Sequence, residues 1–338
     1  RAQAGVRLAD LQQHLAPAGQ WLALDPPEPR ATVGGVVAAN ASGPRRLRYG
    51  TVRDLIIGIT VVLADGTVAH AGGKVVKNVA GYDLAKLFCG SLGTLGMIAE
   101  VIFRLHPLPT AAAVVTLDVE EPAQAGRAVQ RLGRSALEPS AVELVVDEWG
   151  WPGRLTVVFE GIQPGVEAQA AAAAELLGQV GAAAVAGPGG SDAALSQLGA
   201  RPFEKAEVAL KAAFPPAELP EVLTELLGGD RRSWERRWVG SVSAHAATGV
   251  LWMTSGFRQG DLRADGPEVA NVARAVTDVR ERLAPWGGSL VVVKAPPHLK
   301  RLVDVWGPPG DALGLMRRVK ERFDPDRRMS PGRFVGGI

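Results

Sequence analysis

Between residues 110 and 294 the chain runs twice through the same order of apolar elements, and this repeat constrains the fold more than any other feature. Segments 113–119, 141–146, 155–160 and 182–186 read as strands, with helices over 122–134 and 166–180, which gives β-α-β-β-α-β. The order recurs as strands 207–213, 238–243, 249–254 and 289–294 with helices 216–227 and 267–283. In the last helix Val269, Val272, Ala273, Val276, Val279 and Leu283 follow i, i+3, i+4 spacing, one face of an α-helix. Two consecutive split β-α-β units, ferredoxin-like in topology, are the simplest fold for such a pattern, with 188–203 connecting them.

The flanking segments differ in character. Residues 1–109 are rich in glycine and short β-like runs. Leu8, Leu11 and Leu15 share a helical face closed by Pro17 and Gly19, strands at 54–63 and 68–71 flank an Asp65-Gly66 turn, a polar loop over 77–88 runs into a short helix, and a strand follows at 97–105. His106-Pro107-Leu108-Pro109 is the best domain boundary, since two prolines within three residues interrupt any regular element. Residues 295–310 form a Pro-rich crossing. Leu313, Met316, Val319 and Phe323 then mark a last helix before a terminal loop. The predicted organisation is three segments, 1–109, 110–294 and 295–338, in an α+β protein of 338 residues, long enough for two or three domains.

Composition excludes several functions. The net charge of +2, from 37 basic and 35 acidic residues, is too small to imply nucleic acid or an anionic membrane as main partner. The single cysteine, Cys89, excludes an internal disulfide framework and an all-cysteine iron–sulfur site in this chain. Five histidines, none paired at ligand spacing, argue against a His-based metal centre. The longest uncharged stretch, 238–257, is too rich in Gly, Ser and Thr to span a bilayer. Phosphate-loop, dinucleotide-fingerprint, zincin and nucleophile-elbow motifs are absent.

What remains is glycine chemistry in the first third. Gly34-Gly35 within 31–43, with Asn40 nearby, and the run Gly90-Ser91-Leu92-Gly93-Thr94-Leu95-Gly96 both offer backbone that a ligand can approach closely, and exposed N–H groups at such turns cradle a pyrophosphate. Taken one at a time, either stretch reads more readily as a mere tight turn, since glycine turns are common.

Together the stretches ATVGGVVAANASGPRRLRYGTVRDLIIGITVVLADG, GGKVVKNVAGYDLAKLFCGSLGTLGMIAEVIFRLHPLP and FDPDRRMSPGRFVGGI resemble the vanillyl-alcohol-oxidase and PCMH-type FAD-binding family, and within it the FAD-binding subunits of bacterial glycolate oxidases. The resemblance implies a PCMH-type FAD-binding domain followed by a cap of the two ferredoxin-like units, with the terminal segment returning to the first domain. It places Thr32, Gly34, Gly35, Asn40 and Gly43 along the FAD pyrophosphate and the isoalloxazine edge, and Tyr49, Gly50 and Asp54 as supports of that loop. Gly90, Ser91, Gly93, Thr94, Gly96 and Ile98 fall on the adenosine and ribityl side. Lys77, Asn78 and Tyr82 belong to a polar loop near the flavin, and Arg333 matches a terminal Pro-Gly-Arg/Lys, with Ser330 where the relatives usually carry Asn.

Two departures from the family carry expectations. Its first phosphate loop would lie upstream of Arg1, so 1–109 reads as an N-terminally truncated domain that retains FAD weakly. The stretch AHAATGVLW resembles a metal-binding cap motif from which all but His245 and Gly249 has been lost, with Trp252 in the place of the second histidine; no metal and no catalytic residue is assigned. Family likeness further implies a cytoplasmic subunit of a complex oxidising glycolate or another 2-hydroxy acid, with a homologous flavin subunit and an iron–sulfur subunit as partners and any membrane contact made through them. A self-sufficient FAD oxidase and an assembly subunit that has lost flavin are the alternatives. The basic runs 44–48, 231–238 and 317–322 read as solvated faces, the second alternatively as an interface around Trp234 and Trp238.

Overall fold

The computed structural model describes residues 1–73, 83–147, 151–186, 206–227, 239–257, 260–264 and 266–338. The connector 188–203, the loop residues Lys77, Asn78 and Tyr82, and the 231–238 cluster lie outside the described residues. The chain divides into two compact units, one made of Arg1–Leu108 with Pro308–Ile338, the other of Pro109–Gly307.

The first unit opens with β1 (Ala2–Gln3), α1 (Leu8–Leu15), β2 (Gln20–Trp21) and α2 (Val33–Ala39), then two helical turns, α3 (Arg46–Tyr49) and α4 (Val52–Leu55). Strands β3 (Ile56–Val62) and β4 (Val68–Gly72) form the expected Asp-Gly hairpin, where the Asp65 side chain accepts the Thr67 N–H. After α5 (Leu84–Phe88), β5 (Met97–Phe103) enters between β1 and β3 to give the sheet order β1-β5-β3-β4, and β6 (His106–Pro107) pairs with β2. Its core gathers Leu22, Val36, Val37, Leu55, Phe88 and Val101, each 2% exposed or less.

Two local readings need correction. Residues 54–55, expected in a strand, are helical because Asp54 takes the Thr51 N–H and hydroxyl in a capping box that starts α4, so the strand begins at Ile56. Residues 33–39, read as a glycine turn, form helix α2, which Thr32 starts by accepting the N–H of Gly35.

The second unit is a single antiparallel sheet of eight strands with the order β10-β7-β9-β8-β12-β13-β11-β14. Its elements are β7 (Ala111–Val119), α6 (Pro122–Arg134), β8 (Ala141–Asp147), β9 (Gly153–Gly161), α7 (Gln163–Gly178) and β10 (Ala183–Ala186), then β11 (Ala209–Ala213), α8 (Leu219–Leu227), β12 (Val239–His245), β13 (Val250–Ser255), α9 (Pro267–Leu283) and β14 (Ser289–Lys294), followed by the short α10 (Pro297–Lys300). Each half has the 4-1-3-2 strand order of a ferredoxin-like unit, and the halves join through their second strands, β8 and β12, so the predicted fold is the observed one. On α9 the buried face is Val269, Val272, Ala275, Val276, Val279 and Leu283; Ala275 replaces the expected Ala273.

The chain then returns to the first unit through α11 (Leu313–Phe323), whose Phe323 meets Phe88 edge to face at 5.8 Å. Here the expected apolar face is only partly right: Met316 is 37% exposed, whereas Lys320, read as part of a solvated basic run, is 5% exposed.

Candidate functional site

The two glycine stretches meet in the first unit. The 90–96 loop lies along the C-terminal half of α2, with the Gly90 N–H donating to the Val37 carbonyl at 3.0 Å and the Leu92 N–H to the Ala38 carbonyl at 2.8 Å. Asn40 ends α2 in the left-handed region at φ 47°, and its Cβ lies 3.5 Å from where a Cβ on Gly90 would stand. Thr32, Gly34, Gly35 and Asn40 are thereby brought to the same helix that carries the second loop.

The glycines do not all serve the same purpose. A Cβ on Gly34 would fall 2.7 Å from the Ala4 Cβ, on Gly43 1.9 Å from the Asp25 carbonyl oxygen, on Gly50 2.7 Å from the Asp54 Cβ, and on Gly96 3.0 Å from the Val62 carbonyl oxygen. Close approach of the protein to itself therefore accounts for these four. At Gly35, Gly90 and Gly93 a Cβ would meet no atom closer than 3.2 Å, and Gly90 and Gly93 have φ of +80° and +77°. At these three no backbone of another segment closes on the glycine; the Thr32, Asn40 and Ser330 side chains stand nearby at 3.2–3.5 Å.

The remaining candidates have internal partners. Ser91 donates to the Phe88 carbonyl at 2.9 Å and Thr94 to the Ser91 carbonyl at 2.8 Å, which shapes the loop but leaves both oxygens able to accept. Ile98, on β5, packs against the core. Tyr49 sits in an aromatic cluster, edge-on to Trp21 at 5.4 Å and to His106 at 5.0 Å. Burial, then the charges of Arg104 and Arg48, push the His106 pKa down. Asp54, which supports Gly50, is opposed by burial but held below the usual carboxylate range by the Thr51 hydrogen bonds and by Arg53 and Lys86.

One atom tests whether FAD fits here. Asn40 Oδ1 is buried and has no hydrogen-bond partner among the described residues. A buried acceptor left unsatisfied costs about 1–3 kcal/mol, and a flavin N–H or a ribityl hydroxyl would supply the missing donor. An orphan acceptor on a residue beside Gly90 fits the cofactor that the family resemblance implies.

The same loop is held from its other side by residues that sequence reading missed. Lys320 Nζ donates to the Thr94 carbonyl at 2.7 Å, to Asp324 Oδ2 at 2.5 Å and to the Met329 carbonyl at 2.8 Å. Asp324, fully buried, also accepts the N–H groups of Arg328 and Met329. Burial opposes its ionisation, but the hydrogen bonds from Lys320, Met329 and Arg328 and the Lys320 charge hold its carboxyl below the ordinary range. The i, i+4 spacing of a Lys and an Asp across the end of the helix was the available signal.

In the second unit His245 is 5% exposed on β12, with Nδ1 2.8–2.9 Å from both oxygens of Glu143 on β8. Trp252 Nε1 lies 3.5 Å from His245 Nε2; an indole nitrogen is only a donor, so Nε2 is the acceptor and the Nδ1 proton goes to Glu143. Both ring nitrogens are committed. Among the described residues no three His, Cys, Asp or Glu side chains form a metal-binding group, and with both ring nitrogens of His245 committed its surroundings do not fit the metal of the cap motif that the stretch resembles. Burial pushes the Cys89 thiol up to about 12, so it stays protonated at neutral pH. No helix among the described residues is long and apolar enough to cross a membrane.

Comparison with known proteins gives the family. Residues 1–72 match the family described as FAD binding domain, and residues 305–334 the one described as FAD linked oxidases, C-terminal domain. A D-lactate dehydrogenase of Archaeoglobus fulgidus is 30% identical over 343 aligned positions, covering 92% of the chain and 72% of that enzyme. The chain belongs to the PCMH-type FAD-linked oxidoreductases. Within this family of FAD-linked oxidoreductases, glycolate oxidase subunit GlcE of Escherichia coli is 42% identical over 33% of the chain and 32% of its own length, and subunit GlcD of Bacillus subtilis 37% identical over 42% and 31%. The relatives thus include D-lactate dehydrogenases and both kinds of glycolate oxidase subunit, so the narrower likeness to the glycolate oxidase FAD-binding subunit is not singled out. A solved structure of alkyldihydroxyacetonephosphate synthase superposes with a TM-score of 0.66 at 18% identity, covering 96% of the chain and 63% of the synthase, which establishes the shared fold.

Proposed function

We propose that this FAD-linked oxidoreductase holds its cofactor along the end of α2 and the adjoining 90–96 loop, and works as the FAD-binding subunit of a complex that oxidises a 2-hydroxy acid such as glycolate or D-lactate. The observation that carries this reading is the buried Asn40 Oδ1, without a hydrogen-bond partner among the described residues, on a residue whose Cβ lies 3.5 Å from where a Cβ on Gly90 would stand. FAD, when bound, supplies the redox chemistry by accepting the electrons of the substrate. The residues of this chain orient it. Asn40 accepts from a flavin or ribityl donor, Gly35, Gly90 and Gly93 admit the cofactor to van der Waals distance of the backbone, and Ser91 and Thr94 fix the loop with their own hydroxyl protons while their oxygens remain acceptors. Thr32, Gly34, Gly43, Tyr49, Gly50, Gly96 and Ile98 support that surface.

Because His245 is committed to Glu143 and Trp252, removal of the substrate hydroxyl proton is assigned to a homologous flavin subunit, and an iron–sulfur subunit takes the electrons onward. One observation favours a second reading, a self-contained dehydrogenase: the likeness to the archaeal D-lactate dehydrogenase runs along nearly the whole chain.

Titration of FAD into the protein, followed by quenching of flavin fluorescence, tests the site. Asn40→Leu and Gly90→Val are expected to weaken binding about tenfold or more, the equivalent of about 1.4 kcal/mol each. Unchanged affinity in both variants would overturn it. Dye reduction with glycolate or D-lactate separates the two readings: turnover by this chain alone sinks the complex-dependent one.

A further inference from the structure

The 308–338 segment reaches the 90–96 loop through one buried ammonium group. The three donors of Lys320 Nζ are divided among three places: the Thr94 carbonyl of the loop, the Asp324 carboxylate just past the helix end, and the Met329 carbonyl of the terminal turn. Asp324 folds that turn back on itself by accepting the N–H groups of Arg328 and Met329 at 2.9 and 2.7 Å. Next in the chain, Ser330 holds a left-handed φ of 41°, and its Oγ lies 3.5 Å from where a Cβ on Gly93 would be. On its far side the loop is fixed to α2 by the Gly90 and Leu92 N–H groups, and α2 ends at Asn40. Hydrogen bonds therefore join Met329 through Lys320 to Thr94 and Thr94 to Ser91, and the neighbouring Gly90 and Leu92 bond the last turn of α2, next to Asn40.

We propose that the Lys320–Asp324 pair is a positioning device that makes docking of the 308–338 segment and binding of FAD a single coupled equilibrium. The proposal rests on the placement of FAD beside the 90–96 loop. If Lys320 leaves Thr94, the loop loses the contact that holds it on the side away from α2, and a buried ammonium needs its acceptors replaced. Conversely, a cofactor that fixes the loop fixes the Thr94 carbonyl and so favours the docked segment. Such coupling is reciprocal: the factor by which FAD favours docking equals the factor by which docking favours FAD.

The test uses the full chain and two measurements. Lys320→Met, which keeps the length of the side chain and removes its charge, and Asp324→Asn are expected to raise the FAD dissociation constant about tenfold, with Lys320→Arg intermediate and the near-ultraviolet dichroism of bound flavin altered in the same order. In the wild type, saturating FAD is expected to slow limited proteolysis within 325–338 by about the same factor. If Lys320→Met does not fold, the wild-type proteolysis measurement still decides. Stoichiometric FAD binding with no protection of 325–338 overturns the coupling, as does an FAD affinity within twofold of wild type in a folded Lys320→Met protein. Failure of the underlying site looks different: FAD binds, Asn40→Leu and Gly90→Val leave its affinity unchanged, and protection of 325–338 is absent in every variant.

Discussion

Glu143 and His245 show how a side chain's environment decides its role. A glutamate buried on a sheet is costly as an anion, and burial raises its pKa against the lowering effect of His245. His245→Ala removes the partner and leaves a buried carboxylate, with an expected loss of about 3–5 kcal/mol at neutral pH in urea unfolding. Because the folded pKa of Glu143 is raised, its stabilising contribution is present below the ordinary value near 4.5 and lost as pH rises through the folded value. The penalty of His245→Ala should therefore shrink toward acid pH, and a penalty that is flat with pH would refute the pairing. The loss of the metal motif around His245 could be read from Trp252, seven residues on, because an indole cannot ligate. Glu143 could not be foreseen, since 102 residues separate it from the histidine it holds. Lys320 was misread for a related reason. A lysine in a run of arginines looks solvated until the tertiary fold supplies a carbonyl from Thr94, far away in sequence.

Elements were more readable than contacts. Strand and helix order in the second unit follows from periodicity, because the apolar residues of each element face a common core and the pattern recurs. The exceptions fall where capping overrides composition: Thr32 turns a glycine pair into the first turn of α2, and Thr51 with Asp54 makes a helical turn where β-rich residues follow. Gly126 and Gly133, both on α6, offer a test of packing against propensity. Alanine ordinarily improves a helix over glycine by about 0.5–1 kcal/mol. At Gly133 nothing lies within 4 Å of the new methyl group, so Gly133→Ala should stabilise. At Gly126 the methyl would sit 2.1 Å from Pro220 Cγ on α8, so Gly126→Ala should instead cost about 1–3 kcal/mol by overpacking. An upward shift of the urea midpoint for Gly126→Ala as well as for Gly133→Ala would show that α6 does not meet α8 so closely.

At the scale of the whole molecule, the first unit is built from two segments separated by the entire second unit. The α11 contribution is concrete: Phe323 against Phe88, and Lys320 with Asp324 beneath the 90–96 loop. A chain ending at Gly307 keeps every element of the second unit and loses these contacts. Calorimetry of such a chain should retain the unfolding transition of the second unit and show that of the first weakened or absent; two undiminished transitions would mean that α11 adds little. Translation runs from the amino end, so the sheet of the second unit is complete while the first is still waiting for Lys320 to leave the ribosome. The part of the protein made first is finished last, and a product of interrupted synthesis carries a complete sheet behind an open front unit.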